Sequence, residues 1–169
     1  MSLTQMYAAD VFENLEHYKK NKYPIKFNFP SGESLIHNVF NLSLPTNRVT
    51  LTNYGVGISI RKSCVVFKDN VIESIETGHF AERSPLPESK RVIYMKDMPE
   101  RPESTSDLFE ICQQAADSGQ RIAVRTVSGK EYVGAIAGIT RYAVGLFDVD
   151  NGSAKINVFF DWVTDIRVV

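Results

Sequence analysis

The sequence predicts a mostly β protein with some helix, built as two tandem copies of a small barrel. Each copy is expected to have an N-terminal helix followed by about five bent antiparallel strands. The chain has 169 residues and is 43% hydrophobic, which is enough to fill a core. Its two flanks share one pattern, and short stretches of both alternate apolar and polar residues. Because so few elements per copy cannot cover an open sheet, a small barrel capped by the helix is the economical arrangement.

The two flanks match each other at an offset of 97 residues. The segment Asp10–Glu13 reads Asp-Val-Phe-Glu, and Asp107–Glu110 reads Asp-Leu-Phe-Glu. Ser31-Gly32 and Ser128-Gly129 match at the same offset. An unbroken register of this kind indicates an internal duplication. We therefore predict a first barrel over residues 1–76, a connector over 77–106 and a second barrel over 107–169.

Each copy is predicted to begin with one helix. Asp10 and Asp107 stand where an N-cap carboxylate accepts hydrogen bonds from free backbone amides. Apolar residues then recur at helical spacing in both copies, namely Val11, Leu15 and Tyr18 in the first and Leu108, Cys112 and Ala115 in the second.

Strands follow each helix. Ile25, Phe27 and Phe29 alternate with polar residues, and a Ser-Gly pair then supplies a turn in which glycine can take positive φ. Further strands are predicted at residues 35–42, 49–51, 56–60, 63–67 and 71–75, and in the second copy at 122–126, 132–139, 143–149, 155–160 and 163–168. The connector holds four of the seven prolines, and within it Arg91–Met95 is either a short strand or a segment laid on a neighbouring surface.

Composition excludes several classes of protein. The formal charge of −1 argues against a protein that coats nucleic acid by bulk charge. No apolar run is long enough to cross a bilayer, and Asp10, Glu13 and Glu16 interrupt any signal-peptide core. Cys64 and Cys112 are too far apart for a CxxC site. A cytoplasmic protein with no cofactor and no membrane partner is expected.

The pattern resembles the Sm-like family, and more closely the bacterial RNA chaperone Hfq. Residues 24–32 keep that family's spacing from proline to glycine, and residues 129–146 follow its pattern without a gap. Gly134 lies where the long strand of that family bends most sharply, so a side chain there would crowd the barrel. The resemblance implies an oligomeric, RNA-associated protein that acts as a chaperone or regulator.

The same resemblance implies where RNA would bind. Tyr142, preceded by Arg141, takes the place of the aromatic residue on which uridines stack. The Lys-His pair of that pocket is replaced by Phe160 and Asp161, although the first copy keeps Lys68. The basic rim of the family corresponds here to three lysines near the end of the first helix, Lys19, Lys20 and Lys22.

Each of these residues also has a structural interpretation. Tyr142 can be a rim aromatic packed against a neighbouring subunit, and lysines in a last helical turn offset the helix dipole. The alternative function is therefore an Sm-fold structural or protein-interaction module that does not bind RNA. Ser128-Gly129-Lys130 is too short for a phosphate loop, and the three histidines are scattered, so neither an enzyme nor a metal site is expected.

Self-association is expected through the edges of the sheets. The short apolar strands at residues 64–67 and 156–160 carry few charges that would protect them from pairing. We expect the two barrels of one chain to pair with each other, and chains to join through the remaining edges. Three chains would then complete a ring of six barrels.

Overall fold

The computed structural model describes residues 15–43, 48–52, 65–68, 71–78, 80, 83–85, 91–102 and 107–169, with the backbone alone at 65–68 and at Met95. Residues 15–20 are the described part of the first helix, α1, and Leu108–Asp117 form α2. The strands are β1 (Ile25–Asn28), β2 (Ser34–Ser43), β3 (Arg48–Thr52), β4 (Val65–Lys68), β5 (Ser74–Thr77), β6 (Arg91–Ile93), β7 (Ile122–Thr126), β8 (Glu131–Ile139), β9 (Ala143–Phe147), β10 (Lys155–Phe159) and β11 (Val163–Val168).

The prediction of a mostly β chain is confirmed. The residue that begins β1 and the one that begins β7 are 97 positions apart, and so are the first residues of β2 and β8. The predicted strand at 56–60, the cap Asp10 and Cys64 lie outside the described residues. Asp107 does precede α2, but the expectation of a cap is wrong because its side chain accepts no capping hydrogen bond.

The chain divides into two compact units. Unit 1 contains Met1–Lys26, Leu35–Val71 and His79–Asp97, whereas unit 2 contains Phe27–Ser34, Ile72–Gly78 and Met98–Val169. Each unit thus draws on separate stretches of chain. The predicted boundaries at 76 and 107 follow from the match between the two flanks of the sequence and not from which residues are close in space. These boundaries stay a prediction.

In unit 1, β2, β3 and β4 pair antiparallel in that order, and β6 then pairs with β4 in parallel. Arg91–Met95 in the connector therefore contains a strand, β6, whose Ile93 is buried. A second connector contact lies at Ser84, which exchanges two hydrogen bonds of 2.9 Å with the backbone of Ile36. The connector is thus part of the fold of this unit.

In unit 2, the strands follow the order β11-β7-β8-β9-β10-β5, and each neighbouring pair is antiparallel. The terminal strands of this row, β11 and β5, do not pair with each other among the described residues. The row is open, so the prediction of two closed barrels is wrong. The physical reason is that β10 uses its outer edge to pair with β5, which extends the row instead of closing it.

The core of unit 2 lies under α2. Cys112 and Ala115 of the helix are buried against apolar side chains of β7 to β11, among them Ile122, Leu146 and Ile156. Gly134 on β8 has no room for a side chain, because a Cβ atom there would lie 2.9 Å from the backbone oxygen of Phe147. None of the described helices is long and apolar enough to cross a membrane.

Candidate functional site

The most basic of the predicted sites lies at the end of α1, in unit 1. We use "helix-end surface" for Lys19, Lys20, Lys22 and Tyr23. Lys20 and Lys22 are exposed and Lys19 is half-buried. Tyr23 is 53% exposed, and its ring packs edge-on to His17 with the two ring centres 6.4 Å apart. Three ammonium groups beside an accessible aromatic ring suit a ligand that carries phosphates and flat bases.

The backbone at this helix end takes a conformation that is costly for lysine. The Tyr23 N–H donates to the Tyr18 carbonyl at 3.1 Å, and the Lys22 N–H donates to the Lys19 carbonyl at 3.2 Å. These two bonds form a Schellman motif, in which the residue in the position of Lys22 must be left-handed. Lys22 has a φ of 56°. Glycine is the residue that usually fills such a position without strain.

The end of α2 has the same motif with the usual residue. Gly119 donates to the Ala116 carbonyl and Gln120 donates to the Ala115 carbonyl, and Gly119 has a φ of 65°. Gly119 lies 97 positions after Lys22, the offset at which the two flanks match, so the same left-handed position holds glycine at one helix end and lysine at the other. A strained side chain at the surface suggests that the side chain itself is used.

Polar contacts inside unit 1 hold Lys22 in place. The Asn38 side-chain amide on β2 donates to the Lys22 carbonyl at 2.9 Å. The Asn38 Oδ1 atom in turn accepts a hydrogen bond of 2.8 Å from Nε of Arg83, a connector residue. Asn38 is fully buried. The helix-end surface is therefore held to β2 through Asn38. A fourth cation, Arg83, contacts the same asparagine.

Replacing Lys22 with glycine is expected to stabilise the protein by about 1 kcal/mol, because the left-handed conformation costs a side-chain residue about that much. Lys20→Gly is the matched control, since residue 20 is helical and glycine there costs about 1 kcal/mol. Urea unfolding of both variants measures the two changes. Equal losses of stability in the two variants would contradict the strain assigned to Lys22.

The other predicted residues lie elsewhere. Lys68 ends β4 opposite Arg48, and its side chain lies outside the described part of the structure. Arg141 and Tyr142 belong to unit 2, in the turn between β8 and β9, where Arg141 is exposed and Tyr142 half-buried. The Thr140 hydroxyl oxygen accepts hydrogen bonds from the N–H groups of Tyr142 and Ala143 and so fixes this turn. The six residues thus do not form one continuous site within either unit.

The connector reaches the region next to Tyr142. The Phe160 N–H donates to the Tyr142 carbonyl at 2.8 Å. Beside it, Asp161 forms an ion pair of 3.5 Å with Arg101, whose guanidinium lies 5.4 Å from the centre of the Trp162 ring. The carboxylate of Asp161 is therefore paired with a cation from residue 101, so its charge is partly offset within the chain.

Unit 2 also contains a group of buried polar residues. We use "buried polar cluster" for Asn28, Glu73, Ser74, Glu76 and Lys130. The Lys130 ammonium donates to Asn28 Oδ1 at 2.6 Å, and the Asn28 amide donates to Glu76 Oε2 at 2.7 Å and to the Ser74 hydroxyl at 3.0 Å. The second oxygen of Glu76 accepts from the side chains of Asn151 and Ser153, at 3.0 and 2.6 Å.

Glu73 occupies one side of this cluster and is fully buried. Its carboxylate accepts the Ser128 N–H at 2.9 Å and the Ser128 hydroxyl at 2.6 Å. Removal from water raises the pKa of Glu73, although hydrogen bonds from Ser128 and the charge of Lys130 act in the opposite direction. The cluster ties β5 and its preceding residues to the turn between β7 and β8. Its carboxylates are already occupied by donors, which suits a structural role better than acid–base chemistry.

The stability of the protein should depend on the protonation of Glu73. Because its folded pKa is raised, the stability linked to this group is fully present below the ordinary pKa and is lost as the pH rises through the folded value. We therefore expect the wild type to lose stability relative to Glu73→Gln as the pH rises from about 4 to 8. Urea unfolding of both proteins across this range measures the difference. A difference that does not change with pH would contradict the burial of an ionisable Glu73.

No group of three metal-ligating side chains is found within the described ranges. Burial raises the pKa of the Cys112 thiol to about 11, so this cysteine is protonated at neutral pH and a poor nucleophile. The prediction that the protein is not an enzyme stays a prediction.

Sequence reasoning missed the buried polar cluster. Glu73 precedes the strand Ser74–Thr77 and Glu76 lies within it, and the sequence marks Lys130 only as the end of a short Ser-Gly-Lys segment. An ordinary carboxylate in a strand gives no sign that it is buried, because its partners come from residues 50 to 80 positions away. The only local signal is that Glu73 and Glu76 lie next to Ile72 and Ile75, two apolar residues that are buried.

The chain was compared with known proteins as a whole. A family described as the repressor of phase-1 flagellin matches it over residues 6–166. The chain belongs to this family. The match runs through both flanks and the connector, so the phase-1 flagellin repressor family accounts for nearly the entire sequence. No curated protein and no solved structure matches the chain.

Membership of the phase-1 flagellin repressor family corrects the earlier resemblance. The assignment to the Sm-like family and to Hfq is wrong, and with it the function of an Sm-like RNA chaperone with degenerate uridine pockets. The alternative of an Sm-fold interaction module has no support either. A helix, alternating strands and Ser-Gly turns are features that many small β folds share, and the resemblance rested on this pattern more than on signature residues.

Proposed function

We propose that this protein lowers the production of phase-1 flagellin and acts in the cytoplasm as a binding protein rather than an enzyme. The single observation that carries the proposal is the family match over residues 6–166. We further propose that its target is a nucleic acid connected with flagellin expression, bound through the phosphates at the helix-end surface.

The geometry of unit 1 supports the second part. Lys20 and Lys22 are exposed beside the ring of Tyr23, and Lys22 stands in a backbone position that favours glycine. Lysines bind phosphates as point charges and release counterions, whereas an exposed aromatic ring offers a stacking surface for a base. The overall charge of −1 makes such a local surface necessary, because the chain as a whole does not attract a polyanion.

Expression of the chain in a flagellated bacterium that carries a phase-1 flagellin gene tests the proposed function. The amounts of flagellin protein and of flagellin transcript are measured with and without the chain. We expect flagellin protein to fall several-fold, and unchanged flagellin protein would overturn the proposal. The transcript distinguishes two levels of action, since a parallel fall indicates action on transcription or transcript lifetime and an unchanged transcript indicates action on translation.

A further inference from the structure

The outer edge of β11 is available for pairing. β11 is the last strand of the row in unit 2, and among the described strands only β7 pairs with it. Thr164, Asp165 and Arg167 are exposed, and Val168 is 46% exposed. An edge strand presents a row of backbone donors and acceptors, which is a template for pairing with another strand.

The charges along this edge alternate in sign. Asp165 and Arg167 are two residues apart on a strand, so their side chains lie on one face of the sheet. The guanidinium of Arg167 is held on that face by Glu131 of β8, through contacts of 3.0 and 3.2 Å to the two carboxylate oxygens. Ile166 between them points to the core and is 6% exposed.

We propose that β11 pairs antiparallel with β11 of a second copy of this chain, about a two-fold axis at Ile166. In this register Asp165 of each copy lies opposite Arg167 of the other, which gives two cross-strand pairs of opposite charge. The two neighbouring symmetric registers place Asp165 opposite Asp165 or Arg167 opposite Arg167. Like charges directly opposite each other are destabilising, so the charge pattern selects one register.

A closed pair fits the strand pairings better than a ring. A ring or filament requires two different edges, so that each chain offers one edge to the chain before it and another to the chain after it. In unit 1 the edge of β4 is paired with β6 of the same chain, and β6, the last strand of that row, is only three residues long and so offers little edge for pairing. Self-pairing of β11 needs only the one edge. This proposal stands on the geometry of unit 2 and is independent of the proposed function.

Sedimentation of the full chain over a range of concentrations tests the proposal. The wild type should change from monomer to dimer as the concentration rises. Asp165→Arg places arginine opposite arginine and should weaken the dimer about tenfold or more. Glu100→Arg, the same change of charge at an exposed residue outside the strand, should leave the dimer unchanged. A wild type that stays monomeric throughout, or an Asp165→Arg variant that dimerises as well as the wild type, would overturn the proposal.

A charge exchange between two chains tests the register itself. Asp165→Arg carries two arginines on the edge, and Arg167→Asp carries two aspartates. At a concentration at which the wild type is a dimer, each variant alone should be mostly monomeric, whereas their equimolar mixture should form a heterodimer in which both cross-strand pairs are again opposite in charge. Circular dichroism establishes that each variant is folded, since Arg167→Asp also removes one of the two arginine partners of Glu131. Folded variants that fail to form the heterodimer would overturn the proposed register.

Discussion

Replacing Lys19, Lys20 and Lys22 together with alanine is expected to weaken binding of nucleic acid by about 100-fold at about 0.1 M salt. Each lysine that neutralises a phosphate releases about 0.9 of a counterion on duplex DNA, so the loss of one such contact lowers the affinity several-fold. The loss of three contacts multiplies these factors. Fluorescence anisotropy with labelled duplexes from the flagellin promoter and labelled transcripts of the flagellin gene measures the effect. The logarithm of affinity decreases with the logarithm of salt concentration, and the magnitude of this slope should be smaller by about 2 to 3 in the triple variant.

The control replaces two exposed lysines outside the helix-end surface, Lys96 and Lys155, with alanine. This variant should bind within a few-fold of the wild type. A control that loses as much affinity as the triple variant would mean that binding follows overall charge and not this surface. Lys22→Gly adds a second check, because it should weaken binding while it increases stability.

Replacing Glu76 with alanine is expected to lower the free energy of unfolding by about 3 to 5 kcal/mol. Glu76 is 2% exposed and accepts hydrogen bonds from the side chains of Asn28, Asn151 and Ser153. Its removal leaves the fully buried Asn28 amide and the half-buried Ser153 hydroxyl without this acceptor, and each buried donor without an acceptor costs about 1 to 3 kcal/mol. Urea unfolding followed by circular dichroism gives the change.

Glu100→Ala is the control for this prediction, because Glu100 is exposed and surface substitutions usually change stability by less than about 0.5 kcal/mol. Glu76→Gln should lose less than the alanine variant, since its carbonyl oxygen still accepts one or two of the three bonds. A Glu76→Ala protein as stable as the wild type would show that the buried polar cluster does not hold β5 in place.

The strands of the protein could be predicted because the necessary information is local. Ile25 and Phe27 alternate with polar neighbours and are fully buried, as the period of a strand requires. Gly32 and Gly129 have φ values of 92° and 87°, and glycine after serine at the end of a turn is a local signal for that conformation. The short strand in the connector, β6, was one of two interpretations of Arg91–Met95. Its signal is also local, because two β-branched residues follow Arg91.

Pairings between distant strands could not be predicted in the same way. Whether a row of strands closes into a barrel depends on which strands pair with each other. The alternation of apolar and polar residues in Lys155–Phe159 indicates only which side chains face inward. The sequence likewise placed the three lysines at a helix end but not the left-handed conformation of Lys22, because lysine itself predicts a continued helix. The family assignment failed because a shared pattern of strands carries less information than signature residues.

The pairing of β10 with β5 has a consequence for how the protein folds. Lys155 pairs with Thr77 and Val158 with Ser74, so this ladder joins residues about 80 positions apart in the chain. Contacts between distant residues slow folding, because a long loop must close before they form. During synthesis Ile72–Gly78 therefore emerges long before its partner strand and remains unpaired with β10 until that strand is made. A fragment that begins at residue 107 would in turn expose the edge of β10, so we expect this fragment to aggregate rather than to fold alone.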